Sequence, residues 1–427
     1  MSPLPLPRVH RLANGVTLIC DPAPAFETLA LSVVAGRGAR WEDEGHSGWS
    51  HLLEHMVFKG AGGRSARDIV ESIEADGGQI NAATGHERTS FQVRALAGGL
   101  DLALAVTADL VQRPTLDPDD LAREKQVVAQ EIAEAGDTPD DQVFEIAQSA
   151  AFPDQPLGRP ILGSPASLAP ADRESVQAWR EALYSPDRLV VSVSGAVDED
   201  VFLARAEACF GGHGPSAGAV LAHSEPALFK GGAARERRRL EQAHVVLLLP
   251  APGVLDPDYW ALRVFAEILG GGMSSRLFQE ARERLGLAYA IDAYSDAYAD
   301  IGVLGIYAGC AAADAGLLAE VAAREIRGLA GRVETGELAR AKAQLKASLF
   351  MGRESLSARA EQAAAQQLIF GRLVPGAELA RAIDDVSPDH LRALGVRLLS
   401  SRASVGAVLG PKGAMDAPQR FEAALFV

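Results

Sequence analysis

His51-Leu52-Leu53-Glu54-His55 sets two histidines four residues apart with a glutamate between them. Neutral imidazoles are good zinc ligands, and a carboxylate beside such an ion can move protons. On a helix His55 lies about 40° round from His51, and Glu54 about 60° round on the other side. All three then share one arc of about 100°, which can face a single ion. Off a helix, the same five residues have nothing to converge on.

Local signals favour the helix. Ser47 or Ser50 offers an N-cap, Leu52, Leu53, Met56 and Phe58 suit a buried face, and Lys59-Gly60 supplies a cation and a stop. Two imidazoles are an incomplete set, because catalytic zinc usually takes three protein ligands and keeps one position open. The strongest source of a third ligand is residues 117–132. This segment opens with Asp117-Pro118 and continues in strong helix formers, with Glu124 and Glu131 seven residues apart, two turns along one face. Taken singly, each of these groups is also what an ordinary solvated helix carries.

The elements that must position them belong to a long chain. Its 427 residues exceed one ordinary core and predict about two to four domains. With 48% hydrophobic and 23% charged residues the composition is that of a folded, soluble globular protein. Cys20, Cys209 and Cys310 are far apart and show no paired spacing, so they suit neither a disulfide framework nor a cysteine zinc site and read as small buried hydrophobes. The start, Met1-Ser2-Pro3-Leu4-Pro5-Leu6-Pro7, has no apolar h-region, and no later run approaches the length that spans a bilayer, which predicts a cytoplasmic protein without a membrane partner. A net charge of −15 argues against nucleic acid, whose phosphates need a basic face. Gly270-Gly271-Gly272 is followed by no Gly-Lys-Ser/Thr, so it reads as a turn capped by Ser274, and no nucleotide cofactor is expected.

The chain contains itself twice. At an offset of 209, Ser65-Ala66-Arg67, a polar-capped helix and Gly77-Gly78 fall on Ser274-Ser275-Arg276, another such helix and Gly286. Further on the offset is 217, and Leu121-Ala122-Arg123-Glu124-Lys125 lands on Leu338-Ala339-Arg340-Ala341-Lys342, so eight residues are inserted between the anchors. Late in each half comes a β-rich run, 189–195 and 403–408. The duplication provides an internal control. His51, Glu54 and His55 fall on Trp260, Arg263 and Val264, while Glu124 and Glu131 fall on Ala341 and Ser348. Groups that merely served the fold should persist in part in the second copy, so their joint loss confines the chemistry to the first half.

The boundary is expected between Gly211 and Leu240, where Gly211-Gly212-His213-Gly214-Pro215-Ser216 and Gly231-Gly232 are rich in breakers. Each half mixes strand-like runs (28–34, 91–95, 244–249, 302–307) with longer helical ones. This predicts an α+β fold of two homologous domains, each a mainly antiparallel sheet with helices packed on it.

The stretch from His51 to Gly60, followed by Glu131, resembles the inverted-zincin (His-x-x-Glu-His) metallopeptidases of the pitrilysin and mitochondrial processing peptidase family, short two-domain type. The resemblance extends through Leu12-Ala13-Asn14-Gly15-Val16, Asn81-Ala82-Ala83-Thr84, residues 124–139, and residues 270–277 on to Arg282 and Tyr289. It implies that His51, His55 and Glu131 hold one Zn2+ per chain, that Glu54 is the base acting on a zinc-bound water, and that Glu124 steadies the site from outside the ligand set. It further implies that peptide substrates add as a strand beside Asn81, Ala82 and Ala83, and that Arg282 and Tyr289 contact them near the scissile bond.

On this resemblance residues 1–213 form the catalytic zinc-binding domain, 214–235 a linker, and 236–427 a homologous domain without zinc that contributes substrate contacts. Relatives of this length work as dimers enclosing a chamber. An intact zinc set with Arg282 and Tyr289 in one chain favours a homodimer, with the pair able to act in trans. The expected activity is zinc-dependent endoproteolysis of unfolded peptides or short polypeptides. The alternatives are a peptide-binding or assembly subunit whose zinc turns nothing over, and a hydrolase of small amides.

Overall fold

The computed structural model describes residues 6–212, 214 and 225–427. The first five residues, His213 and residues 215–224 lie outside the described residues, and with them part of the proline-rich start and of the expected linker. The chain forms two compact units, Met1–Ile132 with Pro160–Ser224 and Phe350–Pro375, and Ala133–Arg159 with Glu225–Leu349 and Gly376–Val427.

The first unit contains β1 (Arg8–Arg11), β2 (Thr17–Pro22), β3 (Thr28–Ala35), the two-residue hairpin strands β4 (Gly60–Ala61) and β5 (Arg64–Ser65), β6 (Gln79–Thr84), β7 (Thr89–Leu96) and β8 (Leu189–Gly195). Six of these form one sheet in the order β1-β2-β8-β3-β7-β6, antiparallel throughout except where β2 runs parallel to β8. The second unit contains β9 (Gly232–Arg237), β10 (Ala243–Pro252), β11 (Ala288–Ala297), β12 (Ile301–Cys310) and β13 (Val405–Gly410). Its sheet is ordered β11-β12-β10-β13-β9 and is antiparallel except between β13 and β9. From β6 to β2, and from β11 to β9, the two orders and orientations are the same, which is the duplication in three dimensions. The fold is the expected α+β pair of mainly antiparallel sheets clad in helices.

Strand composition explains the layering. In β3 every residue after Thr28 is buried and in β8 all are, so these strands have apolar neighbours on both faces rather than a wet side. Leu31, Val33, Val191 and Val193 face a core shared with Leu52, Leu53 and Met56. Ile19, Val34 and Val190 point the other way, onto Ala363 and Ala364 of the helix Leu356–Phe370. In the second unit Val246 and Leu248 meet Val143 and Ala147 of the helix Pro139–Ala151, while Val245 and Leu247 face the larger core.

Each sheet is therefore covered on one face by a helix that the other half of the sequence supplies. The contiguous division at residues 213 and 236 needs correcting on this point. Residues 133–159 pack in the second unit and residues 350–375 in the first. The physical reason is that an apolar sheet face needs a cover of matching shape, and hydrophobic patterning marks that need without naming the donor. The helix from the second half is also pinned by charge. Arg359 donates from Nε and Nη2 to the two carboxylate oxygens of Asp21 at 2.7 Å each, and Ser194 Oγ donates to the same carboxylate at 2.8 Å.

Cys20 and Cys310 are buried and Cys209 is half-buried, all three free thiols. Among the described residues no helix is long and apolar enough to cross a membrane.

Candidate metal and catalytic site

The helix Trp49–Val57 carries the motif. Leu52, Leu53, Met56 and Val57 are fully buried on one side, and each contributes about 1.5–3 kcal/mol of burial to holding the short helix in place. Its start differs from the expected serine cap. Gly48 is the N-cap, in the left-handed region at φ 87°, and a Cβ there would lie 2.5 Å from the Leu162 carbonyl oxygen. The free N–H groups are taken by the buried carboxylate of Glu42, which accepts from Gly48 N and Ser50 N at 2.8 Å each. Ser50 itself sits inside the helix, its hydroxyl accepting from the Trp179 indole at 3.3 Å. A tertiary carboxylate thus does what a local serine was expected to do. The stop is where Lys59-Gly60 put it, with Lys59 N donating to Met56 O at 3.2 Å.

The second element is the helix Pro118–Asp137, with Asp117 Oδ1 accepting from Asp119 N at 2.8 Å and Asp120 N at 3.2 Å. Glu124 and Glu131 project from one face of it towards the histidines. His55 Nε2 lies 3.5 Å from Glu131 Oε2 and His51 Nε2 lies 3.9 Å from the same oxygen. The two imidazole centroids are 4.6 Å apart. Among the described residues His51, His55 and Glu131 form the one such group whose ligand atoms all lie within 4.8 Å of one another.

Their geometry fits zinc. Tetrahedral coordination with bonds of 2.0–2.1 Å spaces neighbouring ligand atoms about 3.3 Å apart, close to the two separations found. Burial, with His55 close by, pulls His51 down to about 4, so its ring is neutral at pH 7 and its lone pair is available. His51 Nδ1 is buried and has no hydrogen-bond partner among the described residues. His55 differs, because its Nδ1 lies 3.1 Å from Glu124 Oε2, and a donor there leaves the Nε2 lone pair free to face inward. Glu124 is buried and its second oxygen receives Lys59 Nζ at 2.7 Å, giving the chain Lys59-Glu124-His55. Glu124 therefore stands behind the ligand atoms rather than among them.

Glu54 is held by the Thr84 hydroxyl, which donates to its Oε2 at 2.6 Å. Burial pushes the Glu54 carboxyl above its ordinary value, while the Thr84 hydroxyl, His55 and the Thr84 backbone pull the other way. The result is a half-buried carboxylate beside a cluster of metal-ligating type. Asn81, Ala82 and Ala83 lie on β6, an edge strand whose outer side is unpaired among the described residues. A cavity of about 430 Å³ opens between this strand and the motif helix, lined by Glu54, His55, Phe58, Val70, Asn81 and Ala82 among others.

Arg282 and Tyr289 belong to the second unit. Where a Ser-capped helix was expected after Ser274, the structure has a seven-residue π-helix, Phe278–Arg284, an arrangement often met at functional sites. The Arg282 guanidinium carbon lies 4.6 Å from the Phe278 ring centroid and 5.5 Å from that of Tyr289, so both rings restrain it. Tyr289 is 77% exposed near the start of β11, an edge strand.

Sequence reasoning gave Lys59 only a role at the helix end and missed the supporting roles of Phe278, Thr84 and Glu42. Lys59 follows His55 by one helical turn and so carried a readable signal. Phe278 precedes Arg282 by four residues and carried a similar one. Thr84 and Glu42 carried none, because their partners are 30 and 6 to 8 residues away across turns.

Fold and site together define a two-unit α+β protein with an inverted His-x-x-Glu-His metal cluster on one unit. The family model for insulinase (peptidase family M16) matches residues 17–165, and that for the peptidase M16 inactive domain matches residues 170–345. The chain belongs to this M16, or pitrilysin, family of peptidases. It is 35% identical over 404 residues to a protein of Rickettsia bellii named an uncharacterized zinc protease, covering 94% of this chain and 97% of that one. A Bacillus subtilis protein of the same description is 34% identical over 403 residues, covering 94% and 98%. Among solved structures, a protease from Helicobacter pylori shares the fold with a TM-score of 0.88 at 22% identity, over 96% of this chain and 100% of that one. A peptidase M16 inactive domain from Pseudomonas fluorescens matches with a TM-score of 0.86 at 21% identity, over 95% and 98%.

Proposed function

We propose that the protein is a zinc-dependent endopeptidase of unfolded peptides and short polypeptides, with one Zn2+ per chain held by His51, His55 and Glu131. The observation that carries this reading is the convergence of His51 Nε2, His55 Nε2 and Glu131 Oε2, with Glu54 on the same helix. Zinc, when bound, supplies a Lewis acid that polarises a carbonyl and lowers the pKa of water. The rest falls to side chains of this chain. Glu54 takes the proton of the attacking water and returns it to the leaving amine. Glu124 and Lys59 fix the ring of His55, and β6 offers Asn81, Ala82 and Ala83 to an extended peptide. Because every extended peptide presents the same main-chain donors and acceptors, such a strand accepts many sequences. Arg282, restrained by Phe278 and Tyr289, supplies a preorganised cation for substrate near the scissile bond. We further propose a cytoplasmic homodimer that closes round its substrate in a chamber, with Arg282 and Tyr289 acting in trans.

The test is to incubate the purified chain, with and without chelator, with a mixed library of unstructured peptides and read cut sites by mass spectrometry. Wild type is expected to cut, and chelator to stop it. Glu54→Gln should retain zinc while its kcat falls by at least about 100-fold, the scale of a general base. Full turnover by Glu54→Gln removes the mechanism. Tight zinc without cleavage of any peptide supports instead a peptide-binding or assembly subunit, and turnover confined to small amides supports a small-amide hydrolase.

A further inference from the structure

The base and the strand expected to receive the substrate are joined through one side chain. Thr84 is the last residue of β6, and its hydroxyl is the only side-chain hydrogen-bond donor to Glu54 among the described residues. At 2.6 Å this bond is short, as hydrogen bonds to a carboxylate are. Thr84 Oγ1 also lies 3.5 Å from the Ser50 carbonyl oxygen, but the hydroxyl has one proton and the Glu54 contact is the closer by far. The inner side of β6 is fixed by its ladder to β7, with Asn81 opposite Gln92, Ala82 opposite Phe91 and Thr84 opposite Thr89. Among the described residues no strand pairs with its outer side.

The terminal torsion of a glutamate is broad and nearly two-fold, so a carboxylate without a fixed partner samples many orientations. The Thr84 hydroxyl fixes Oε2 and the Thr84 backbone also holds the carboxylate, so its orientation is tied to β6. We propose that Thr84 is a positioning residue for the base: it anchors Glu54 Oε2 to β6, so that a peptide docked along Asn81, Ala82 and Ala83 and the carboxylate that acts on it are registered by the same strand. This rests on the reading of Glu54 as the base. It adds that the aim of the base is set by the substrate-binding strand rather than by the motif helix.

Thr84→Val keeps the branched shape and strand preference while deleting the hydroxyl, and Thr84→Ser keeps the hydroxyl. With a peptide that the wild type cuts, Thr84→Val should lose about 10- to 100-fold in kcat, while KM and the zinc dissociation constant stay within about threefold. Thr84→Ser should recover kcat to within about threefold of wild type. A merely structural role would move thermal stability, zinc affinity or KM together with kcat, and Ser would not rescue it selectively. If Thr84→Val does not fold, the kcat of Thr84→Ala is read against Thr84→Ser in the same way. The proposal is overturned by a kcat for the hydroxyl-free variant within about threefold of wild type, by a loss carried wholly in KM or zinc affinity, or by a Ser variant as slow as Val. Glu54→Gln separates this failure from that of the function itself. An inactive Glu54→Gln beside a fully active Thr84→Val removes only the role of Thr84, whereas an unaffected Glu54→Gln removes the base.

Discussion

Glu124→Gln keeps the shape of the side chain and removes only its charge, which makes it a clean probe of the support behind the metal cluster. The native carboxylate is 6% exposed and lies 3.1 Å from His55 Nδ1 and 2.7 Å from Lys59 Nζ. Hydrogen bonds to a charged partner contribute about 1.5–3 kcal/mol and neutral ones about 0.5–1.5 kcal/mol. The substitution therefore forfeits about 1–2 kcal/mol of the hold on His55, and at about 1.4 kcal/mol per decade zinc should bind roughly 5- to 30-fold more weakly. That falls within the range usual for partners standing behind metal ligands, about 10- to 100-fold. The measurement is competition for zinc against a chromogenic chelator, with Glu134→Gln on the exposed side of the same helix as control. A Glu124→Gln protein whose zinc affinity matched the control within about twofold would refute the idea that the Lys59-Glu124-His55 chain orients the ligand.

Arg359→Met should lower the stability of the first unit by about 3–5 kcal/mol, because it leaves the buried Asp21 carboxylate without its guanidinium. Urea unfolding checks it, and an Asp21→Asn/Arg359→Met double variant should be less destabilised than the sum of the singles. Burial, helped by the Arg40 charge, pulls His86 down to about 4. Since its folded value lies below its unfolded value near 6.5, the stabilisation is complete above pH 6.5 and is lost as pH falls towards 4, by about 3 kcal/mol in all. His86→Gln should remove about 2 kcal/mol of the loss between pH 7 and pH 5, read from urea midpoints of the metal-saturated proteins; an unchanged pH slope would count against it.

What the sequence made legible is what depends on short, fixed periods. The arc shared by His51, Glu54 and His55, and the face shared by Glu124 and Glu131, follow from helical geometry alone; the meeting of the two helices, which brings His51, His55 and Glu131 together, does not. The strand 189–195 was readable to the residue, because a short run of valines with small residues, buried throughout, ends on Gly195. The Glu42 cap was not readable, since nothing local distinguishes a carboxylate that folds back onto a helix start from a solvated one. Nor was the pairing of Asp21 with Arg359, whose partners are 338 residues apart. The π-helix escaped for a different reason: Phe278 to Arg284 has ordinary helix-forming residues, and the wider turn leaves no mark in composition.

The traded helices bear on what a break in the chain would do. Cutting within residues 215–224 leaves a first piece that holds helix Pro139–Ala151 but lacks Leu356–Phe370, and a second piece with the reverse deficit. Each piece alone exposes Val34 and Val190, or Val246 and Leu248, to water. Each also carries in its own sequence the lid its counterpart lacks. A nicked molecule is therefore two fragments that complement one another.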